Sequence, residues 1–330
     1  MPRWVPFMKV PFRRRVEITA VLVYALITPF TLLAAFYAIV IPIFWFFTIP
    51  YLIWMIYYDK TWEHGGKRLE WVRNLRIWSF FRDYFPVSLV ASSKLDPKKN
   101  YIFGYHPHGI ISLGAFCNFA TNANGVDQKF PGLTIHPLTL ESNFKLPFFR
   151  DVLMSFGMSS VSRKGCDNIL SSGPGKSIMI VVGGAAESLD AHPGNNELYL
   201  KRRKGFVRLA LSHGAGLVPM YSFGENDVFD QVSNPRGSFL RRLQQKILQI
   251  SGIAPPLFNG RGIFTYDFGL LPHRHKIVTV VGDALEVPRI SNPSDEVVDF
   301  YHQAYIDSLT VLFNKYKDDF GSPTDELKIN

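Results

Sequence analysis

The chain opens with one long apolar stretch and continues with short apolar runs separated by turn residues. No Asp, Glu, Lys, Arg or His occurs in residues 18–58. As a helix rising about 1.5 Å per residue, this stretch would extend roughly 60 Å, about twice the thickness of a bilayer core. Pro42 lies near its middle, where a turn between two arms is expected. The pattern predicts an N-terminal hydrophobic helical hairpin, with residues 1–60 forming a basic N-terminus and a membrane hairpin.

Basic residues flank this hairpin on both sides. Arg13, Arg14 and Arg15 precede it, and Lys60 and Lys67 follow it. Because positive charge favours the cytoplasmic side of a membrane, both ends are expected to face the cytoplasm. A cleaved signal peptide would have a shorter apolar core, and a soluble helix pair of this length would carry a polar face, so a retained anchor is favoured over both.

The pattern after the hairpin consists of apolar runs of strand length that end in Gly or Pro. These runs predict strands at 101–105, 178–182, 217–221 and 277–281. Helical periodicity predicts helices over 205–213 and 239–250, and from an N-cap at Ser294 to about Lys317. Strands that alternate with helices indicate an α/β fold, and no linker interrupts the pattern. Residues 61–330 are therefore predicted to form a single domain at the cytosolic face.

Composition excludes several classes of protein. The 330 residues are 47% hydrophobic, which excludes a disordered chain, and the two cysteines exclude a disulfide scaffold. Lys and Arg number 36 against 27 Asp and Glu, a net charge of +9. The basic flanks of the hairpin and a basic cluster described below account for this charge, so no nucleic-acid partner is predicted.

The segment richest in candidate chemistry is the apolar run 101–105 followed by His106, Pro107, His108 and Gly109. Pro107 restricts the backbone around it, and Gly109 permits a tight turn. In open α/β sheets, ligands bind at the carboxyl ends of the strands. A neutral imidazole held there has a pKa suited to a general base. The alternatives are metal ligation by the two histidines and a purely structural turn. No other histidine clusters with His106 and His108 in the sequence, so no metal site is predicted.

Two further segments carry charged groups. Gly183 and Gly184 follow the run 178–182, and Glu187 comes three residues later. Glu187 could be the carboxylate that orients a histidine, or it could be an ordinary glutamate in the first turn of a helix. Five of the ten residues 201–210 are basic. Such a cluster suits the phosphates of a polyanion, anionic lipid headgroups or simple solvation. The candidate residues in it are Arg203, Lys204 and Arg208.

Residues 239–250 combine apolar positions with basic ones such as Arg241 and Arg242. Two interpretations are open for this segment. It could lie among lipid headgroups, or it could pack on the core with its arginines in solvent.

Several blocks, in order along the chain, resemble the type 2 family of diacylglycerol acyltransferases, which also includes monoacylglycerol acyltransferases and wax synthases. The matching blocks are Tyr84-Phe-Pro, His106-Pro-His-Gly, Gly183-Gly-Ala-Ala-Glu, Arg203-Lys-Gly-Phe-Val-Arg, Val218-Pro through Phe223-Gly-Glu, and Val280-Val-Gly. The resemblance covers nearly all of the chain after residue 58. It implies a domain like that of the glycerolipid acyltransferases, with a mostly parallel sheet. The His-x₄-Asp signature of those enzymes is absent, since Leu113 occupies the acidic position after His108.

The resemblance implies an acyltransferase that uses acyl-CoA as a substrate, without a cofactor, to esterify diacylglycerol to triacylglycerol. The enzyme is expected at the cytoplasmic face of the endoplasmic reticulum membrane and at the lipid-droplet surface. Assembly into a homo-oligomer is left open by the resemblance. Monoacylglycerol or a fatty alcohol as acceptor, and a non-enzymatic droplet hairpin protein, are the alternatives.

Each motif has a predicted role in this reaction. His108 is expected to act as general base, Glu187 to orient its imidazole, and His106 to position the turn or share its protons. Pro107, Gly109, Gly183 and Gly184 are expected to shape the turns. Arg203, Lys204 and Arg208 are expected to bind acyl-CoA.

Overall fold

The computed structural model describes residues 3–5, 9–91, 94–252 and 254–330. Its α-helices, numbered in chain order, are α1 (Phe12–Val40), α2 (Trp45–Ile53), α3 (Glu70–Arg73), α4 (Arg76–Tyr84), α5 (Leu113–Ala115), α6 (Val126–Lys129), α7 (Phe149–Ser155), α8 (Arg163–Leu170), α9 (Gly184–Glu187), α10 (Gly205–His213), α11 (Phe239–Ser251) and α12 (Asp295–Phe320). Its strands are β1 (Val87–Ala91), β2 (Tyr101–His106), β3 (Thr134–Thr139), β4 (Ser159–Ser160), β5 (Lys176–Val181), β6 (Glu197–Leu198), β7 (Gly216–Phe223), β8 (Asp230–Gln231), β9 (Phe258–Asn259), β10 (Ile277–Val281) and β11 (Lys328–Ile329).

Seven of these strands form one sheet in the order β1-β10-β7-β2-β5-β3-β4. The strands β7, β2, β5, β3 and β4 are mutually parallel, whereas β10 runs antiparallel to β7 and parallel to β1. The predicted α/β class with a mostly parallel sheet is confirmed. All residues of β2, β7 and β10 are buried, as expected of strands covered on both faces.

The four predicted strands correspond to β2, β5, β7 and β10, and the three predicted helices to α10, α11 and α12. Ser294 caps α12 as predicted, because its hydroxyl accepts a hydrogen bond from the Val297 N–H. The strand β3 was not predicted. It contains His136 and Pro137 within six residues, and a proline normally argues against an interior strand.

The predicted hairpin is present, with its turn at the expected proline. A single 3₁₀ turn, Pro42–Phe44, separates α1 from α2. Among the described helices, only α1 is long and apolar enough to cross a membrane. The second arm, α2 with the π-turn Trp54–Tyr58 that follows it, reaches roughly 20 Å at about 1.5 Å per residue, which is shorter than a bilayer core.

The start of the uncharged stretch packs on the domain instead of entering lipid. Ile18 and Val21 of α1 are buried in a cluster with Trp78 and Phe81 of α4. Further along α1, the side chains of Phe30 and Phe36 are 70% and 58% exposed. The first turns of α1 therefore belong to the hydrophobic core, and only the part beyond them is available to a membrane.

Candidate active site

Three adjacent strands bring the candidate motifs to one edge of the sheet. The strand β2 lies between β5 and β7, and both neighbours run parallel to it. His106 ends β2, Gly183 and Gly184 follow β5, and Gly224 and Glu225 follow β7. Because the carboxyl ends of parallel strands meet at one edge, these three turns lie side by side.

The His108 side chain is held in a defined orientation. Its Nδ1 lies 3.0 Å from the carbonyl oxygen of Gly109. A carbonyl only accepts hydrogen bonds, so Nδ1 carries the proton and Nε2 keeps a free lone pair. Desolvation lowers the pKa of this half-buried imidazole, although its bond to the Gly109 carbonyl acts in the opposite direction. The result is a neutral imidazole with Nε2 available to accept a proton.

Glu187 lies next to His108, but it binds the main chain. One carboxylate oxygen accepts the His108 N–H at 2.6 Å, and the other accepts the Tyr199 N–H at 2.9 Å. The predicted bond to the imidazole is therefore replaced by a bond to the backbone of the same residue, and the Gly109 carbonyl orients the ring instead. Burial raises the pKa of Glu187 to about 7, and the two N–H donors oppose that rise.

His106 points away from this turn into the core. Its Nε2 lies 3.1 Å from the hydroxyl of Tyr305 on α12. Its Nδ1 is buried without a hydrogen-bond partner. Burial lowers the pKa of His106 to about 3, so the ring is neutral. The structure thus places His106 where it connects β2 to α12, and its described contacts do not join it to the proton network of His108.

The turn residues differ in what each position demands. The peptide bond between His106 and Pro107 is cis, and Gly109 and Gly184 both have a φ of +64°, a left-handed conformation that favours glycine. Gly183 has an ordinary φ, but a Cβ there would lie 2.2 Å from the Glu187 carboxylate. Gly183 therefore makes room for the carboxylate that holds His108.

A second buried carboxylate, Glu225, lies beneath the same turn. It accepts hydrogen bonds from the Tyr105 hydroxyl at 2.6 Å and from the Gly114 N–H at 3.1 Å. A Cβ on Gly109 would lie 2.9 Å from its Cγ. Burial raises the pKa of Glu225 to about 7. Sequence reasoning gave this residue no role, although its position just after a strand and a glycine resembles that of Glu187.

The basic cluster divides between two places. The Arg203 guanidinium lies 3.3 Å from the Gly183 carbonyl oxygen, at the active-site turn. Lys204 pairs with Asp299, and Arg208 pairs with Asp295, each at 2.5 Å, and both acids belong to the first turns of α12. Only Arg203 of the three predicted phosphate ligands therefore borders the candidate site, and the other two already have acidic partners.

Other reactive groups are less well placed for chemistry. Both Cys117 and Cys166 are buried, and burial raises the pKa of each thiol, to about 12 for Cys166. Within the described ranges, no three His, Cys, Asp or Glu side chains converge as metal ligands would. The group best suited to react is the Nε2 of His108, supported by two buried carboxylates.

Known proteins resemble this chain closely. It is 63% identical over 331 residues to diacylglycerol O-acyltransferase 2 of Dictyostelium discoideum, covering 100% of both chains. It is 47% identical to 2-acylglycerol O-acyltransferase 1 of Bos taurus, covering 98% of this chain and 97% of that protein. The crystal structure of the 1-acyl-sn-glycerophosphate acyltransferase PlsC from Thermotoga maritima aligns with 93% of this chain and 99% of its own, at 11% identity and a TM-score of 0.42.

The sequence model of one protein family, described as diacylglycerol acyltransferase, matches residues 37–330. That range contains all three turns of the candidate site, the last four residues of α1 and the whole second arm of the hairpin. With a match over most of its length and relatives that align along all of it, this chain belongs to the diacylglycerol acyltransferase family.

Proposed function

We propose that this protein transfers the acyl group of acyl-CoA to the free hydroxyl of diacylglycerol, forming triacylglycerol and releasing coenzyme A. The observation that carries the proposal is the His108 turn, in which the Gly109 carbonyl holds Nδ1 and leaves Nε2 free. The 63% identity to a diacylglycerol O-acyltransferase 2 supports the choice of acceptor. Acyl-CoA is a substrate in this scheme, and no further cofactor takes part.

His108 acts as general base in the first step. Its Nε2 takes the proton of the glyceride hydroxyl while that oxygen attacks the thioester carbonyl carbon. The carbonyl becomes a tetrahedral oxyanion, for which a main-chain N–H of the Gly109 turn or the Gly183–Gly184 turn would be the donor. The C–S bond then breaks and the ester forms. The coenzyme A thiolate leaves and takes the proton from the imidazolium, which is possible because a thiol pKa is about 8.5.

The two buried carboxylates and the second histidine act as positioning residues. Glu187 fixes the backbone of His108 through its N–H, and Glu225 supports the turn from below. His106, through Tyr305, fixes the end of β2. A covalent route through cysteine is disfavoured, because burial raises the pKa of both thiols and so keeps them protonated.

Arg203 is the foremost candidate to bind the phosphates of coenzyme A, because it borders the Gly183–Gly184 turn. Lys204 and Arg208 would contribute only if the phosphates replaced Asp299 and Asp295 as their partners. The hairpin would hold this site at the cytoplasmic face of the endoplasmic reticulum membrane or at a lipid droplet, where a soluble acyl-CoA and a lipid acceptor meet.

A second acceptor, monoacylglycerol, is favoured by one observation. The chain is 47% identical to a 2-acylglycerol O-acyltransferase over nearly its whole length. The same general base would serve either acceptor, since both present a free glycerol hydroxyl.

The test uses the full-length protein in membranes with labelled oleoyl-CoA and, separately, diacylglycerol, monoacylglycerol or a fatty alcohol. Wild type is expected to form triacylglycerol. His108→Ala should lower the rate by about 10²–10⁴-fold, the usual contribution of a general base. His64→Ala, which changes an exposed histidine on a loop, serves as control and should leave the rate unchanged. Full turnover by His108→Ala would refute the base role, and esterification of another acceptor alone would refute the assigned substrate.

A further inference from the structure

The helix α11 is docked with its polar side inward. Arg241 and Gln244 are 3% and 2% exposed, whereas Phe239 and Ile250 are 77% and 79% exposed. Phe239, Leu243 and Ile250 lie on one side of the helix, since their spacing of four and seven residues returns to the same face. This arrangement is the reverse of that in an ordinary surface helix, which buries its apolar stripe.

Specific hydrogen bonds hold α11 in this orientation. The Arg241 guanidinium donates to the Leu189 carbonyl at 2.9 Å and pairs with Asp190 at 2.6 Å. The Gln244 side chain accepts from Asn234 at 2.9 Å and donates to the Pro255 carbonyl at 3.0 Å. Turning the apolar stripe inward would leave the Leu189 carbonyl, Asp190 and Asn234 without these partners, at a cost of about 1–3 kcal/mol for each group that stays buried.

A neighbouring segment presents more apolar surface. In residues 257–270, Leu257, Phe268 and Leu270 are 49%, 51% and 78% exposed. This segment is joined to the stretch that leads into α1: Trp4 bridges to Thr265, and Arg3 pairs with Asp267 at 2.7 Å. The exposed apolar surface of residues 257–270 is therefore joined to the stretch that precedes the membrane hairpin.

Basic residues outnumber acidic ones in this region, whose Asp267 pairs with Arg3. No Asp or Glu occurs in residues 231–266. Arg242 and Lys246 are exposed on α11, next to the apolar stripe. Exposed apolar residues beside cations on a helix that carries no acid match the chemistry of an anionic lipid surface.

We propose that α11 and residues 257–270 form a second lipid-binding surface, which lies in the headgroup layer of a membrane containing anionic phospholipids. Phe239, Leu243, Ile250 and Leu270 enter the boundary between headgroups and acyl chains, and Arg242 and Lys246 contact lipid phosphates. The domain is then attached at two places, the hairpin and this surface. This surface is defined by its exposed apolar side chains and its charge, and it does not depend on which acceptor the enzyme esterifies.

The test places an environment-sensitive fluorophore on the full-length protein in vesicles. Phe239→Cys is labelled in one variant and Phe300→Cys in a matched control, and the two native cysteines are buried. Phe300 is 68% exposed, close to the value for Phe239, but it follows Asp295, Glu296 and Asp299 on α12. In phosphatidylcholine–phosphatidylserine vesicles, spin-labelled lipids should quench the Phe239→Cys label at least about twofold more than the control label.

Equal quenching at the two sites would overturn the proposal. So would energy transfer between labels at position 239 without lipid quenching, because it would identify a second copy of the chain as the occupant. Reversing both charges with Arg242→Glu and Lys246→Glu should reduce quenching at position 239 in vesicles that contain phosphatidylserine. Quenching that is insensitive to this reversal would refute the role of the anionic headgroups. Acyl transfer, measured on the same samples, reports separately on the proposed reaction.

Discussion

At the scale of single residues, the candidate site is a histidine whose backbone N–H is held by a carboxylate and whose ring is held by a carbonyl. Glu187 binds the His108 N–H, and Glu225 packs against Gly109 while it binds Tyr105 and Gly114. Neither carboxylate forms a described ion pair, and burial raises the pKa of both to about 7. These acids are therefore suited to positioning, and their charge state is open to change near neutral pH.

The effect of Glu225 on catalysis can be measured directly. Glu225→Gln keeps the size of the side chain but replaces one acceptor oxygen with an amino group, so Tyr105 and Gly114 compete for the other. A small displacement of a catalytic group costs about 10²-fold in rate, and we expect a kcat loss of that order with KM for acyl-CoA unchanged. Glu286→Gln, at an exposed carboxylate, is the control. A normal kcat for Glu225→Gln in a folded protein would show that the turn does not depend on this carboxylate.

Glu187 should make stability depend on pH. Burial raises its pKa from 4.5 to about 7, so between these values the folded protein holds a proton that the unfolded chain releases. The stabilisation is fully present below pH 4.5 and is lost as the pH rises through about 7. The Glu187→Gln variant does not lose stability in this way, because its amide does not titrate. Relative to wild type, its free energy of unfolding should improve by on the order of 1–3 kcal/mol from pH 5 to pH 8.

Thermal unfolding in detergent at several pH values measures this difference. Glu141→Gln, at an exposed residue, is the control and should change stability by at most about 1 kcal/mol at each pH. If the curves for Glu187→Gln and wild type also ran parallel, the carboxylate would not be buried as an unpaired acid.

At the scale of elements, polar contacts attach both arms of the hairpin to the domain. On the first arm, Glu17 pairs with Arg274 at 2.6 Å. At the end of the second arm, the Tyr51 hydroxyl donates to Asp151 at 2.5 Å. Just after that arm, Arg150 of α7 pairs with Asp59 at 2.8 Å, and both side chains are almost fully buried. The hairpin is thus attached at its base and free at its tip.

The buried ion pair between Arg150 and Asp59 should contribute more to stability than a surface ion pair. Asp59→Asn leaves the Arg150 charge buried without compensation, which typically costs about 3–5 kcal/mol. Glu141→Gln removes one partner of the exposed pair with Lys145 and should cost about 0–1 kcal/mol. Chemical unfolding in detergent compares the two variants. If the two variants lost the same free energy of unfolding, the ion pair of Asp59 with Arg150 would have to be accessible to water.

At the scale of the whole molecule, the hairpin and the domain share one core. Ile18, Ala20 and Val21 of α1 are buried among residues of α4 and of the sheet. A chain cut after residue 60 would expose that part of the core, whereas the middle of the hairpin contacts the domain little. The boundary between membrane anchor and folded domain therefore falls within α1.

Two deletions test this boundary. Removal of residues 1–60 should give an aggregated protein, because it uncovers the cluster around Trp78 and Phe81. Replacement of residues 30–48 by a Gly-Ser linker of equal length should leave a folded domain with weaker membrane attachment. Flotation with vesicles and circular dichroism distinguish the outcomes. A well-folded 61–330 fragment would show that α1 is only an anchor.

Several features of this protein could be predicted from sequence because they depend on local chemistry. An uncharged stretch longer than a bilayer core, with a proline in its middle, indicates a hairpin in any tertiary context. A short apolar run followed by glycine indicates a strand and its turn, and three such runs contained the candidate site. The N-cap at Ser294 is equally local, since it depends on a hydroxyl and an N–H three residues apart.

Side-chain partners were decided only by the tertiary structure, because they join residues far apart in the chain. His106 and Tyr305 are 199 residues apart, and that contact turns one of two neighbouring histidines into the core. Tertiary packing also determines that Glu187 binds a backbone N–H and that Glu225 lies beneath Gly109. It pairs Arg208 with an acid on α12, and it places the polar face of α11 against the domain. Sequence thus determined which groups exist at each turn, and the order of strands in the sheet determined which of them meet.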